Sequence, residues 1–112
     1  MKSDVSASDL SGQIESGTAP AILDVRSRSE FVRGHVPGAI HIPFWLLSLR
    51  LDQIPSTPDA ELVVYCGHGP RALLAGAVLR RRGFTHVRYL AGHFTGWHRG
   101  GFREDAGSGR ER

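Results

Sequence analysis

Four short, largely apolar runs, "AILDV" (21–25), "GAIHIP" (38–43), "ELVVY" (61–65) and "HVRYL" (86–90), alternate with segments patterned as helix. This alternation constrains the fold more than any other feature. A strand buried on both faces reads as a brief continuous apolar run, and strands that take turns with helices imply a mainly parallel sheet. The expected class is therefore α/β, with a mainly parallel sheet. The 112 residues allow one domain with a real core and no room for a second, and no internal repeat is present. Residues 1–102 are assigned to that domain. From Arg103 onward "REDAGSGRER" is charged and rich in Gly and Ser, which predicts a disordered tail over 103–112.

Punctuation between the runs is specific. Ser8, followed by acidic Asp9, is the expected cap of a first helix that Gly17 stops. "SRSEFVRG" predicts a short helix capped by Ser27 and ended by Gly34. "FWLLSLRLDQI" (44–54) has apolar residues at helical spacing, with Pro55 and Pro58 beyond it as stops. Pro70 suits a first helical position, since its N–H would have no partner there anyway. Leu73, Leu74, Ala77 and Val78 then form the expected core-facing stripe. Arg80, Arg81 and Arg82 oppose the negative end of that helix dipole, and Gly83 closes it. "AGHFTGW" predicts a turn into a short closing helix.

Composition removes several functional classes. No stretch nears 18 uninterrupted apolar residues, so no membrane span is expected. The polar start "MKSDVSASDLSGQIESG" lacks an apolar signal segment, and the expected location is cytoplasmic. The net charge is +3, with a single lysine among 14 basic residues and "RRR" the one basic cluster, too sparse a footprint for nucleic acid. A lone cysteine cannot form an internal disulfide or supply a multi-thiolate metal site. Cys66 is thus either buried filler or a working nucleophile.

Its setting favours the second. Cys66 ends the third apolar run and opens "CGHGPR", immediately before a helix. In open parallel sheets the ligand site lies beyond the carboxyl ends of the strands. The helix N-terminus favours negative charge on the sulfur. Gly67 and Gly69 let successive N–H groups converge on one point, and Arg71 can present a fork of donors to an oxyanion. Such a cradle suits a thiolate, which is the reactive form of cysteine.

"AILDVRSRSEFVRGHVPGAIHIP" followed by "VVYCGHGPRALLAGAVLRRRGFTHVRYLAGHFTGW" resembles the single-domain form of the rhodanese (thiosulfate sulfurtransferase) family, from about Val5 to Trp97. The blocks that carry it are "LDVR", "GHVPGAIHIP" and C-x-x-G-x-R. The resemblance implies a twisted, mainly parallel sheet flanked by helices on both faces. It also implies a catalytic Cys66 at the bottom of a shallow pocket, with Gly67, His68, Gly69 and Arg71 binding a small anionic sulfur donor. It implies a double displacement: Cys66 takes the outer sulfur of thiosulfate, expels sulfite, and passes its persulfide sulfur to cyanide or a thiol. No metal and no cofactor are implied. Relatives that act on phosphate or arsenate have one more residue in the loop, whereas "CGHGPR" is the short form. Alternatives that keep the fold are a relay served by a protein sulfur donor or acceptor, and a binding module without turnover.

Pro70 withdraws one amide from the cradle, and Gly67 and His68 stand where many relatives that favour thiosulfate carry Lys or Arg. His68 could meet the leaving sulfite or the acceptor, or simply face solvent. His93 stands where the family usually has a second glycine; it either rims the pocket or lies in a surface loop. Asp24, Arg26 and His35 are expected as structural support, with Asp24 on nearby backbone, Arg26 paired to Glu30 and His35 pinning a turn. Phe44 and Trp45 either wall the pocket or pack in the core.

Overall fold

The computed structural model describes residues 4–107. Its elements are β1 (Asp4–Val5), α1 (Ala7–Ser16), β2 (Ala21–Asp24), α2 (Arg28–Arg33), β3 (Ile40–His41), β4 (Leu62–Tyr65), α3 (Pro70–Arg81), β5 (Val87–Leu90) and α4 (His93–Arg99). The sheet order is β1-β5-β4-β2-β3, and every neighbouring pair is parallel. All four predicted runs are strands, and the carboxyl ends of β2, β3 and β4 share one end of the sheet.

Period-two alternation divides the core. Leu62, Val64 and Cys66 point to one face, with Leu47, Ala72, Ala75 and Leu79. Val63 and Tyr65 point to the other, with Leu10, Leu90 and Trp97. Helices cover both faces, as the resemblance implies. No helix among the described residues is long and apolar enough to cross a membrane.

Local signals were followed with a few displacements. Ser27 caps α2 in a full capping box with Glu30. Gly17 ends α1 at φ +77. The cap of α1 is Ser6 rather than Ser8: Ser6 is extended and its Oγ accepts the Asp9 amide at 3.0 Å. Residues 44–54 form two 3-10 turns, Phe44–Leu49 and Leu51–Gln53, in place of one helix. Arg50 interrupts them at φ −131°, ψ 29°, outside helical space.

The largest correction concerns α3. Its buried residues are Ala72, Ala75, Gly76 and Leu79, whereas Leu73 and Leu74 are 60% and 57% exposed. The helix presents its small residues to the sheet because it packs close: a Cβ at Gly76 would meet Tyr89 Oη at 2.0 Å. Arg103–Gly107, expected in the tail, is held on the domain. Trp97 Nε1 donates to the Arg103 carbonyl at 2.9 Å, His35 and Asp105 form an antiparallel bridge, and the Gly107 amide reaches Val32 O at 2.9 Å. Residues 108–112 of the expected tail lie outside the described residues.

Beside the Cys66 strand, Asp24 is fully buried at the end of β2 and receives Arg26 Nη2 at 2.7 Å and Arg26 Nε at 3.1 Å. Tyr65, the last residue of β4, donates to Asp24 Oδ2 at 2.7 Å and accepts the Val36 amide at 3.0 Å. Removing one member of a buried pair strands its partner. Asp24→Ala should therefore cost about 3–5 kcal/mol, and Tyr65→Phe about 1–3 kcal/mol through an unpaired buried amide and carboxylate oxygen. Urea denaturation of both variants checks this; equal, small losses would mean that the network adds little.

Candidate active site

Cys66 is delivered by β4, the central strand, and has no exposed surface. The turn that follows needs glycine at position 69. Gly69 lies at φ +134°, a region side chains rarely enter. A Cβ on Gly67 would stand 3.2 Å from Arg71 Nη2. Pro70 then starts α3 with its missing N–H at no cost.

One amide of this loop meets the sulfur. Gly69 N–H donates to Cys66 Sγ at 3.0 Å. Burial pushes the Cys66 thiol up, but the His93 side chain and the amides of Ala72 and Gly69 outweigh it and bring the thiol down to about 7. Both amides belong to the start of α3, so the charge-stabilising end of that helix meets the sulfur.

Arg71 is beside the cradle, but its fork is already engaged. Nη1 and Nη2 bind Glu30 Oε1 and Oε2 at 2.8 and 3.1 Å. The Arg71 hydrogen bonds hold the Glu30 carboxyl at about 2, against burial and with help from the Ser27 amide and hydroxyl. The expectation of an Arg71 fork open to an oxyanion is thereby corrected: it clasps the cradle loop to α2. Arg26 does not pair with Glu30; it binds Asp24 and the Gly34 carbonyl at 2.7 Å. Its guanidinium lies 4.2 Å from the centroid of Phe94, on α4.

His68 is exposed and borders a groove of about 400 Å³ with Gly67, Arg33, Thr95 and His98. His35 bonds within its own turn: its Nδ1 donates to Phe31 O at 2.8 Å and its ring stacks on Phe31 at 3.7 Å. Phe44 packs against the core, and Trp45, 56% exposed, meets it edge-on at 5.5 Å. Neither lines the groove beside Gly67. No group of three His, Cys, Asp or Glu residues suited to a metal occurs among the described residues.

The sequence leaves His93 open between the rim of the pocket and a surface loop. It is half-buried, and its Nδ1 accepts the Cys66 amide at 3.3 Å. The one signal for it was a histidine in "LAGHFTGW" where a glycine was expected.

The rhodanese-like domain family model matches residues 6–100. A sulfurtransferase of Allochromatium vinosum is 30% identical over 101 residues, covering 90% of this chain and 92% of that protein. Human thiosulfate:glutathione sulfurtransferase is 34% identical, covering 83% of this chain and 90% of its own length. The crystal structure of the Alr3790 protein from Anabaena sp. superposes with a TM-score of 0.82 at 30% identity, covering 92% of each chain.

The clasp can be tested apart from turnover. Arg71→Lys keeps the charge and loses the fork, so stability should fall by under about 1 kcal/mol while the midpoint of thiol alkylation against pH stays put. Arg71→Ala removes the charge as well, and that midpoint should rise. Urea denaturation and iodoacetamide profiles read the two effects; an unmoved midpoint in Arg71→Ala would confine Arg71 to holding the loop.

Proposed function

The chain belongs to the rhodanese-like domain family, and on that footing we propose that it is a sulfurtransferase in which Cys66 carries the transferred sulfur as a persulfide. The family and its sulfurtransferase relatives support sulfur transfer in general. The observation that carries the finer reading is a buried sulfur, held by the Gly69 amide at a helix N-terminus, with a thiol at about 7. Such a group is about half thiolate at neutral pH and needs no separate base.

In the first displacement the thiolate attacks the outer sulfur of thiosulfate. A Cys66–S bond forms, the S–S bond of the donor breaks, and its electron pair leaves with sulfite. In the second, cyanide or a thiolate takes the outer sulfur and returns the Cys66 thiolate. The scheme uses no metal or organic cofactor. The human relative's name pairs thiosulfate with glutathione, and these are the donor and acceptor we assign first. Gly67, Gly69 and the charge of Arg71 hold the anion, His68 meets the acceptor at the groove, and Asp24, Arg26 and His35 keep the platform. A lone working thiol stays reduced in the cytoplasm, which is the location this reading assigns, with no nucleic-acid or membrane partner.

One observation favours a second reading, a relay that exchanges sulfur with a protein. Leu73 and Leu74 on the first turns of α3, and Trp45 just beyond β3, expose large apolar side chains at the end of the sheet that holds Cys66.

Intact mass spectrometry of the protein after incubation with thiosulfate should show a gain of one sulfur atom that cyanide removes, and Cys66→Ser should show no gain. Below pH 7 the thiol is protonated, so the loading rate should climb about tenfold per pH unit and level off above 7. Loading from a protein persulfide but not from thiosulfate would select the relay. Loading from neither would overturn the proposal.

A further inference from the structure

We propose that His93 is a positioning residue for Cys66: anchored on the amide of that cysteine, its imidazole faces the sulfur and supports negative charge on it. This rests on the reading of Cys66 as the nucleophile and adds a group the motif does not contain.

The backbone places the ring deliberately. Among the described residues His93 is the single non-glycine with positive φ, at +53°. The residues after it are tied to the cradle: Phe94 N–H donates to Cys66 O at 2.9 Å and Thr95 N–H to Gly67 O at 3.2 Å. With α4 pinned to both ends of the Cys66–Gly67 step, a side chain at position 93 is thrown over the loop. Glycine would adopt this conformation without strain, so the histidine is kept there against backbone preference.

The hydrogen bond then sets the tautomer. A nitrogen that accepts cannot also carry the proton, so Nδ1, taking the Cys66 N–H at 3.3 Å, puts the ring proton on Nε2. Nε2 lies over Gly69, 3.4 Å from where a Cβ would stand, and it is the Gly69 amide that bonds the sulfur. The ring thus spans the loop from its base to the donor beside Sγ, and the sulfur beneath has no exposed surface. Against burial, the His93 side chain, with the Ala72 and Gly69 amides, brings the thiol down to about 7.

Other charged groups near the sulfur are committed elsewhere. Arg71 on α3 is forked to Glu30 on α2, and Asp24 and Arg26 beyond β2 hold each other. His98 on α4 turns to Glu104 at 2.7 Å, and His68 in the loop is exposed. His93, bonded to the Cys66 amide and lying over Gly69, is left as the uncommitted side chain of the loop.

The test is the pH dependence of iodoacetamide alkylation of the full chain, read on wild type, His93→Gly and His93→Asn. Glycine suits φ +53°, so that variant should fold, and circular dichroism checks it. The wild-type midpoint should lie at about 7, and in His93→Gly it should rise toward the ordinary thiol value of about 8.5. Asparagine tolerates positive φ and can still accept the Cys66 N–H, so a purely structural role would be restored by it. We expect its midpoint to stay raised. An unmoved midpoint in His93→Gly, or one returned to the wild-type value in His93→Asn, would overturn the proposal. Alkylation needs no sulfur donor, so a wild type that alkylates near 7 but never loads sulfur would sink the transferase reading and leave this one standing.

Discussion

The buried pair of Asp24 and Arg26, with the Tyr65 hydroxyl, is the constraint on which the geometry of the active face depends. Two opposite charges withdrawn from water tolerate little error in placement, because any lost contact leaves a charge unsolvated. Here each contact joins a different part of the chain. Asp24 ends β2, Tyr65 ends β4, the Arg26 guanidinium reaches the carbonyl that closes α2 and lies over the Phe94 ring, and the Tyr65 oxygen takes the Val36 amide. Burial, with the carboxylate beside it, raises the Tyr65 phenol well above its ordinary value, so it stays a neutral donor. The next residue is Cys66. The thiol therefore inherits its position from a network that does no chemistry itself.

Above that platform the cradle is built from few parts. The Gly69 and Ala72 amides come from the start of α3, His93 from the start of α4, and the Arg71–Glu30 clasp from α3 and α2. Only α3 meets the sulfur with its N-terminal amides, where the helix end brings partial positive charge; α4 reaches the Cys66 amide through His93, and α2 reaches only Arg71, through Glu30. Cys66 can accordingly be buried and still ionise near neutrality, two properties that usually exclude one another.

Much of this was legible in the sequence. The four strands, the Ser27 cap, the Pro70 start and the C-x-x-G-x-R loop are local signals, and each was followed within a residue or two. What escaped depended on partners far along the chain. The face that α3 buries was misjudged because Leu73 and Leu74 are more apolar than Ala72, Ala75 and Gly76, yet only small residues allow the approach that Tyr89 requires. Arg103–Gly107 looked like solvent-loving chain, but its backbone finds partners on Trp97, His35 and Val32, and composition does not register backbone bonding. Arg26 was paired with Glu30 on helical spacing, while the real competitor for Glu30, Arg71, is 41 positions away. The place of His93 against the loop was undecided for the same reason: its partner, Cys66, is 27 positions off.

Glu30 has a dual employment whose consequence reaches into how this sequence can vary. One carboxylate completes the capping box of α2 on Ser27 and also receives both arms of Arg71. Positions 27, 30 and 71 are therefore one thermodynamic unit. Substitutions at 27 and 71, though remote in the chain, share a partner and should fail to add in a double-mutant cycle. Exchange at any one of them alters the background against which the other two are selected. The short helix before β3 and the loop around the thiol are, in that sense, free to change only together.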